Sequence, residues 1–183
     1  MYGLQLEASS PDLTEGWARA AYGRVSADTL DPDNPVRQFD RYYRSLAGGG
    51  LPRWDQFDIC AVPSHVVAHI ALGQPAYEAD DAPTPDHFVY TLQGGAVRAL
   101  LGTSVIGQKV GHVLQYNITY TLRAEIAEAV DSGRAILSRS DIAKGDWPAI
   151  QITRGLFLFS GVERPIGKLV LVLNKRYTAD SAP

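Results

Sequence analysis

The chain has 183 residues, 45% of them apolar and 20% charged, enough for one domain with a substantial core. Its 17 Lys and Arg against 20 Asp and Glu leave a formal charge of -3, with no basic run that would suit a nucleic-acid backbone. A lone cysteine, Cys60, excludes an internal disulfide. The start, MYGLQLEASSPDLTEGW, lacks the basic-then-apolar pattern of a secretory signal, and the most apolar run, GKLVLVL, is strand-sized. The expectation is a soluble cytoplasmic protein with no nucleic-acid or membrane partner.

Residues 1–33 are weakly patterned and end in the turn-rich DPDNP; they predict an N-terminal extension with one short helix around Leu13 to Tyr22. Asn34 before Pro35 has the form of an N-cap and a first-turn proline. Val36, Phe39, Tyr43 and Leu46 then share one helical face, with Arg37, Asp40, Arg41 and Arg44 on the other side and three glycines closing the helix. From Leu51 the chain reads as a loop, a short helix around Val62 to His69, and a strand from about Ile70 to Tyr77. Phe88 to Gln93 alternates and is aromatic and β-branched, a strand. Ile118, Leu122, Ile126 and Val130 form a helical stripe closed by Gly133. Ala135 to Ile142, Ala149 to Phe159 and Lys168 to Tyr177 are strand-like, joined by GDWP and GVERPIG, which are short enough for hairpins. In the last strand Leu169, Leu171 and Leu173 alternate with Val170 and Val172, so both its faces call for cover. Strands gathered at the end without alternating helices predict an α+β fold. The domain is read as residues 34–177, with a tail at 178–183.

The stretch YTLQGGAVRALLGTSVIGQKVG, residues 90–111, poses a choice. Glycines beyond a strand can cradle a phosphate, or they can permit tight turns between short helices. GQKV is not the GK[ST] of a phosphate loop, and GGAVRALLG lacks GxGxxG spacing, so the turn reading is preferred.

Four segments in order, LPRWDQFD (51–58), FVYTLQGGAVRALLGTSVIGQKV (88–110), LRAEIAEAVDSGRAI (122–136) and ITRGLFLFSGVERPIGKLVLVL (152–173), resemble the PAS superfamily, in the stand-alone branch common in alphaproteobacterial species. The resemblance covers about residues 36–176. It implies a PAS fold, a five-stranded antiparallel sheet with the helices on one face, here with an N-terminal helical extension. It also implies a sensory or regulatory role in signalling. Haem in such proteins commonly hangs from a histidine on the long helix, and none lies between Ile118 and Ser132, although His112 is just upstream. The flavin photosensors need a reactive cysteine among the short helices, and Cys60 lies well before them. Haem and a flavin adduct are therefore not supported, and the cofactor is unknown.

Candidate chemistry outside that resemblance is sparse. His65 and His69 are four apart, a spacing that can present two imidazoles to a metal, with Cys60 and His87 as further donors; HVVAH lacks the glutamate of a protease motif, and two ordinary histidines are the preferred reading. Cys60, beside Ile59, Ala61 and Val62, reads as a buried small hydrophobe, and Asp80-Asp81 as solvated. No nucleophile elbow or placed acid pair appears, which argues against an enzyme. What remains is a ligand pocket between the long helix and the sheet, with Leu122, Ile126 and Ile152 as apolar lining and Tyr90, Tyr116, Arg123, Trp147 and Arg154 as aromatic or polar handles.

Two functions follow. One is a stand-alone PAS-type sensory module acting on a signalling protein partner, with a small organic ligand biasing two conformations. The other is a small barrel-like isomerase or dehydratase in which His112, Asp141 and a tyrosine converge in the same cavity. A homodimer is expected, with the Val36, Phe39, Tyr43 and Leu46 stripe as its contact, because a strand apolar on both faces needs a second covering layer.

Overall fold

Alternating apolar positions decide the sheet. In the computed structural model, described over residues 18–76, 84–112, 118–144, 147–162 and 164–177, the strands are β1 (Ala18–Arg24), β2 (Ile70–Pro75), β3 (Phe88–Gln93), β4 (Ile136–Lys144), β5 (Trp147–Phe159) and β6 (Lys168–Tyr177). They form one antiparallel sheet in the spatial order β1-β4-β5-β6-β2-β3. The last three strands pair as consecutive hairpins, Ile136 facing Leu156 and Leu156 facing Leu171.

Both faces of this sheet are covered. On one, Ile152, Leu156, Leu158, Leu169 and Leu171 pack against α3 (Gly95–Leu101) and α4 (Ile118–Ser132). On the other, Phe157, Phe159, Val170 and Val172 pack against Val36, Phe39 and Tyr43 of α1 (Pro35–Leu46) and Val66 of α2 (Ser64–Val67). Asn34 caps α1 by accepting from the Val36 amide, and Pro35 fills the first turn. LPRWDQFD clamps the same face: Trp54 stacks on Phe57, both meet Phe159, and the Tyr42 hydroxyl takes the Asp58 amide.

The α+β architecture with an antiparallel sheet is as expected, and several expectations change in detail. Among the described residues there are six strands, not five. The described part of the helix expected around Leu13 to Tyr22 is a strand instead, because ARAAYGR finds hydrogen-bonding partners along β4, Tyr22 facing Ser140. The helices do not share one face: α1 and α2 supply the second apolar layer that β6 requires. The stripe expected to bind a second copy is instead buried in its own core, Val36 and Phe39 at 0% exposure, so it does not serve as a dimer contact. Asp40, expected on the solvent side of α1, is buried beside Tyr43. Cys60 is exposed, because Ile59 to Ala61 forms a single surface turn capped by Asp58.

The glycine question closes on backbone contacts. Gly94 caps α3 so close to the preceding turn that an added Cβ would stand 2.8 Å from the Val67 carbonyl oxygen and strike that of Ala68. The first amides of α3 are already used: Ala96 donates to Ala68 and Gly94 to Ile70. Gly102 and Gly107 have φ of 69° and 84° and turn the chain. The start of α3 thus packs against the chain's own carbonyls, with the Gly94, Ala96 and Val97 amides bound to Ile70 and Ala68 rather than open to a phosphate.

Candidate functional site: a buried ion pair beneath the long helix

On α4, Leu122, Glu125, Ile126 and Ala129 recur at helical spacing, so all four face the sheet. On β5, Arg154 shares the parity of Ile152 and Leu156 and so points up beneath the helix. One cation and one anion thus meet inside an apolar layer, Arg154 at 3% exposure and Glu125 at 0%. Arg154 Nε donates to Glu125 Oε2 at 2.6 Å, and its Nη2 reaches Thr121 Oγ1 at 3.3 Å.

The other carboxylate oxygen faces the sheet edge. Glu125 Oε1 accepts from the Tyr22 hydroxyl at 2.9 Å and from Arg24 Nη1 at 2.8 Å, both on β1. Ser138 on β4 adds a further donor, and Arg24 also binds Glu128 one turn along α4. Burial pushes the Glu125 carboxyl up, but the Arg154 charge and the hydrogen bonds outweigh it and hold the group below the usual range. The Tyr22 phenol is pushed up to about 12, by burial first and then by the Glu125 charge. Tyr90, buried in the same layer, is raised by burial, with Arg154 opposing. At neutral pH the Glu125 carboxyl is ionised and the Tyr22 and Tyr90 phenols are protonated.

Of the residues predicted to line a pocket, Tyr90, Leu122, Ile126 and Ile152 do come together, packed in one apolar cluster, and Arg154 joins them through its ion pair. Arg123 does not. One position further along α4 it faces outward, donating to both oxygens of Asp86 at 2.5 and 2.8 Å, where His112 Nε2 also binds at 2.8 Å. Tyr116, the side chain of Trp147 and the pair Asp80-Asp81 lie outside the described residues. Glu125 is the residue the sequence reading missed, although its place three after Leu122, inside the apolar stripe, was the available signal.

The constellation required for an enzyme is dispersed. His112 is held by Asp86, while Asp141 accepts from Gln151 at 3.0 Å on the opposite face of the sheet. His69 Nδ1 lies 2.7 Å from the Leu173 carbonyl, and His87 Nδ1 accepts from the Thr84 amide. Among the described residues no three His, Cys, Asp or Glu side chains gather as a metal would require.

No family model matches the chain, and no curated protein does. A solved structure of RsLOV, in a point-mutant form, superposes with a TM-score of 0.42 at 10% identity, over 82% of this chain and 72% of that one. That likeness is too distant to bear on function. No helix among the described residues is long and apolar enough to cross a membrane.

Proposed function

We propose that this chain is a PAS-type sensory or regulatory module, cytoplasmic and without catalysis of its own, whose output runs through its N-terminal edge strand. The observation that carries the reading is Glu125: one carboxylate joins the long helix, the central strand β5 and the edge strand β1. A small organic ligand entering the layer around Tyr90, Ile126 and Ile152 has to reorganise around that carboxylate. Any change in its hydrogen bonds alters what holds Tyr22 and Arg24. The ligand shifts the balance only to the extent that it prefers one arrangement. The partner, a signalling protein or a second copy of this chain, meets β1 along its outer edge, which has no neighbouring strand among the described residues.

Hydrogen exchange tests the coupling. Glu125→Gln is expected to speed amide exchange across residues 18–24 by more than the uniform rise that the loss of global stability brings to β6. Unchanged exchange in β1 would show the pair to be local and end the reading. Native mass spectrometry of freshly purified protein is expected to show a bound small molecule, and a uniformly bare chain removes the ligand from it.

A further inference from the structure

The outer edge of β1 is patterned by its register with β4. Val25 donates its amide to Leu137, and Tyr22, Gly23 and Arg24 face Ser140, Arg139 and Ser138 in step with it. Inward and outward main-chain groups alternate along an antiparallel ladder. Gly23 and Val25 therefore bond to β4, while the N–H and C=O of Tyr22 and Arg24 point away from it. No strand lies beyond them among the described residues. Proline and lysine are common means of blunting such an edge, and residues 21–24 contain neither. The Arg24 guanidinium is drawn back over α4 by Glu125 and Glu128, which leaves its main chain open.

We propose that this edge pairs with the same edge of a second copy of the chain, antiparallel about a two-fold axis at Gly23. The proposal rests on the reading of β1 as the output strand and names its partner. In that register each Tyr22 faces the partner's Arg24, and every outward amide and carbonyl of these residues is bonded. Charge and backbone select the register. Sliding the strands one way sets Arg24 directly opposite Arg24, like charge against like. Sliding them the other way sets Arg24 against the bulge between Arg19 and Ala21, where regular pairing ends. At Gly23 each guanidinium instead meets a tyrosine ring that is 38% exposed, a contact Arg24 already makes within its own chain at 5.6 Å. An added Cβ at Gly23 meets nothing within 4 Å, so the axis itself is open. The pairing joins two six-stranded sheets into one and links the two Glu125 carboxylates through Tyr22 and Arg24. The contact is small, so the association is weak and concentration-dependent.

Sedimentation velocity and an engineered disulfide decide it. The wild type is expected to pass from monomer to dimer between about 1 and 200 µM. With Cys60→Ser removing the exposed native thiol, Gly23→Cys is expected to form an intermolecular disulfide on mild oxidation. Facing residues at such a position stand about 4.5 Å apart between Cα atoms, within disulfide reach. Gly48→Cys, equally free of neighbours but far from the axis in sequence, is the collision control and is expected to link at least ~10-fold more slowly. Arg24→Pro removes an outward N–H without touching the ladder to β4 and is expected to weaken dimerisation at least ~10-fold. Should that variant loosen β1, the cross-link carries the test. A chain monomeric to about 200 µM overturns the proposal and gives the edge to a different occupant. A Gly23→Cys variant that links no faster than Gly48→Cys overturns it too. Neither result bears on the Glu125 coupling, which exchange in β1 reads separately.

Discussion

Glu125→Gln keeps the shape of the side chain and removes its charge. Arg154, 3% exposed, then lies in an apolar layer opposite a neutral amide. Breaking a buried ion pair by removing one partner costs about 3–5 kcal/mol. Arg24 adds little, since its side chain is 40% exposed and exposed pairs contribute about 1 kcal/mol or less. Against a total stability of roughly 5–15 kcal/mol, the loss lowers Tm by about 6–20 °C in a domain of this size. Urea unfolding followed by tryptophan fluorescence measures it, as a shift in midpoint with unchanged slope. The pH dependence supplies a second signature. The folded pKa of Glu125 lies below its unfolded value, so its contribution is complete above the unfolded value of about 4.3. It is lost as pH falls through the folded pKa, and the variant lacks that part of the acid limb. Replacing both partners with apolar residues, Glu125→Leu with Arg154→Met, is expected to recover most of the loss. A single-variant loss under about 1 kcal/mol would refute the reasoning, because Arg154 would then have found water or another partner.

Gly94→Ala is expected to lose about 1–3 kcal/mol, the cost of overpacking against the Val67 and Ala68 carbonyls, while Gly48→Ala, whose Cβ meets nothing within 4 Å, stays near neutral in the same urea assay. Phe39→Ala is expected to cost about 3–5 kcal/mol and to leave the oligomeric state in light scattering unchanged; a shift in mass without loss of stability would return that helix to an interface. Burial raises the Asp86 carboxyl, but hydrogen bonds from Arg123 and His112 outweigh it and keep it low, so NMR titration should find its pKa moving up in Arg123→Met. The stability change in that variant should remain within about 1 kcal/mol, as the pair is half-exposed.

What could be read from the chain was what local spacing encodes. The runs Phe88–Gln93 and Ile118–Ser132 fall where the alternation and the four-residue stripe put them. Leu169 to Leu173 asked for cover on both sides and received it. Which layer supplied the cover was not legible, because two apolar faces of one strand do not say which helix lies on which. The strand at Ala18–Arg24 was hidden for a related reason: an alanine-rich segment has weak strand preference, and only the free margin of β4, more than a hundred residues away, makes it one. In the site, Arg154 was named but its ion-pair partner was not, since an acid inside an apolar stripe is easily taken for surface. Arg123 stands a single helical step, about 100°, past Leu122, which is enough to turn it to Asp86.

The pairing pattern also sets the order in which the molecule can be assembled. β4, β5 and β6 close against their sequence neighbours, whereas β1 must wait for β4 and β2 must wait for β6. Synthesis delivers the chain in the opposite order, so β1 and α1 leave the ribosome before β4, β5 and β6 exist to receive them, and only the β2–β3 hairpin can pair early. During that interval Val36, Phe39 and Tyr43 have no aromatic floor of Phe157 and Phe159 to lie on. The nascent protein therefore carries its stickiest surface for most of its translation, and its collapse is a late event triggered by the last hairpin. Chains truncated before Lys168 should accordingly aggregate or occupy chaperones rather than fold in part, because the strand that joins both halves of the sheet is the last one made.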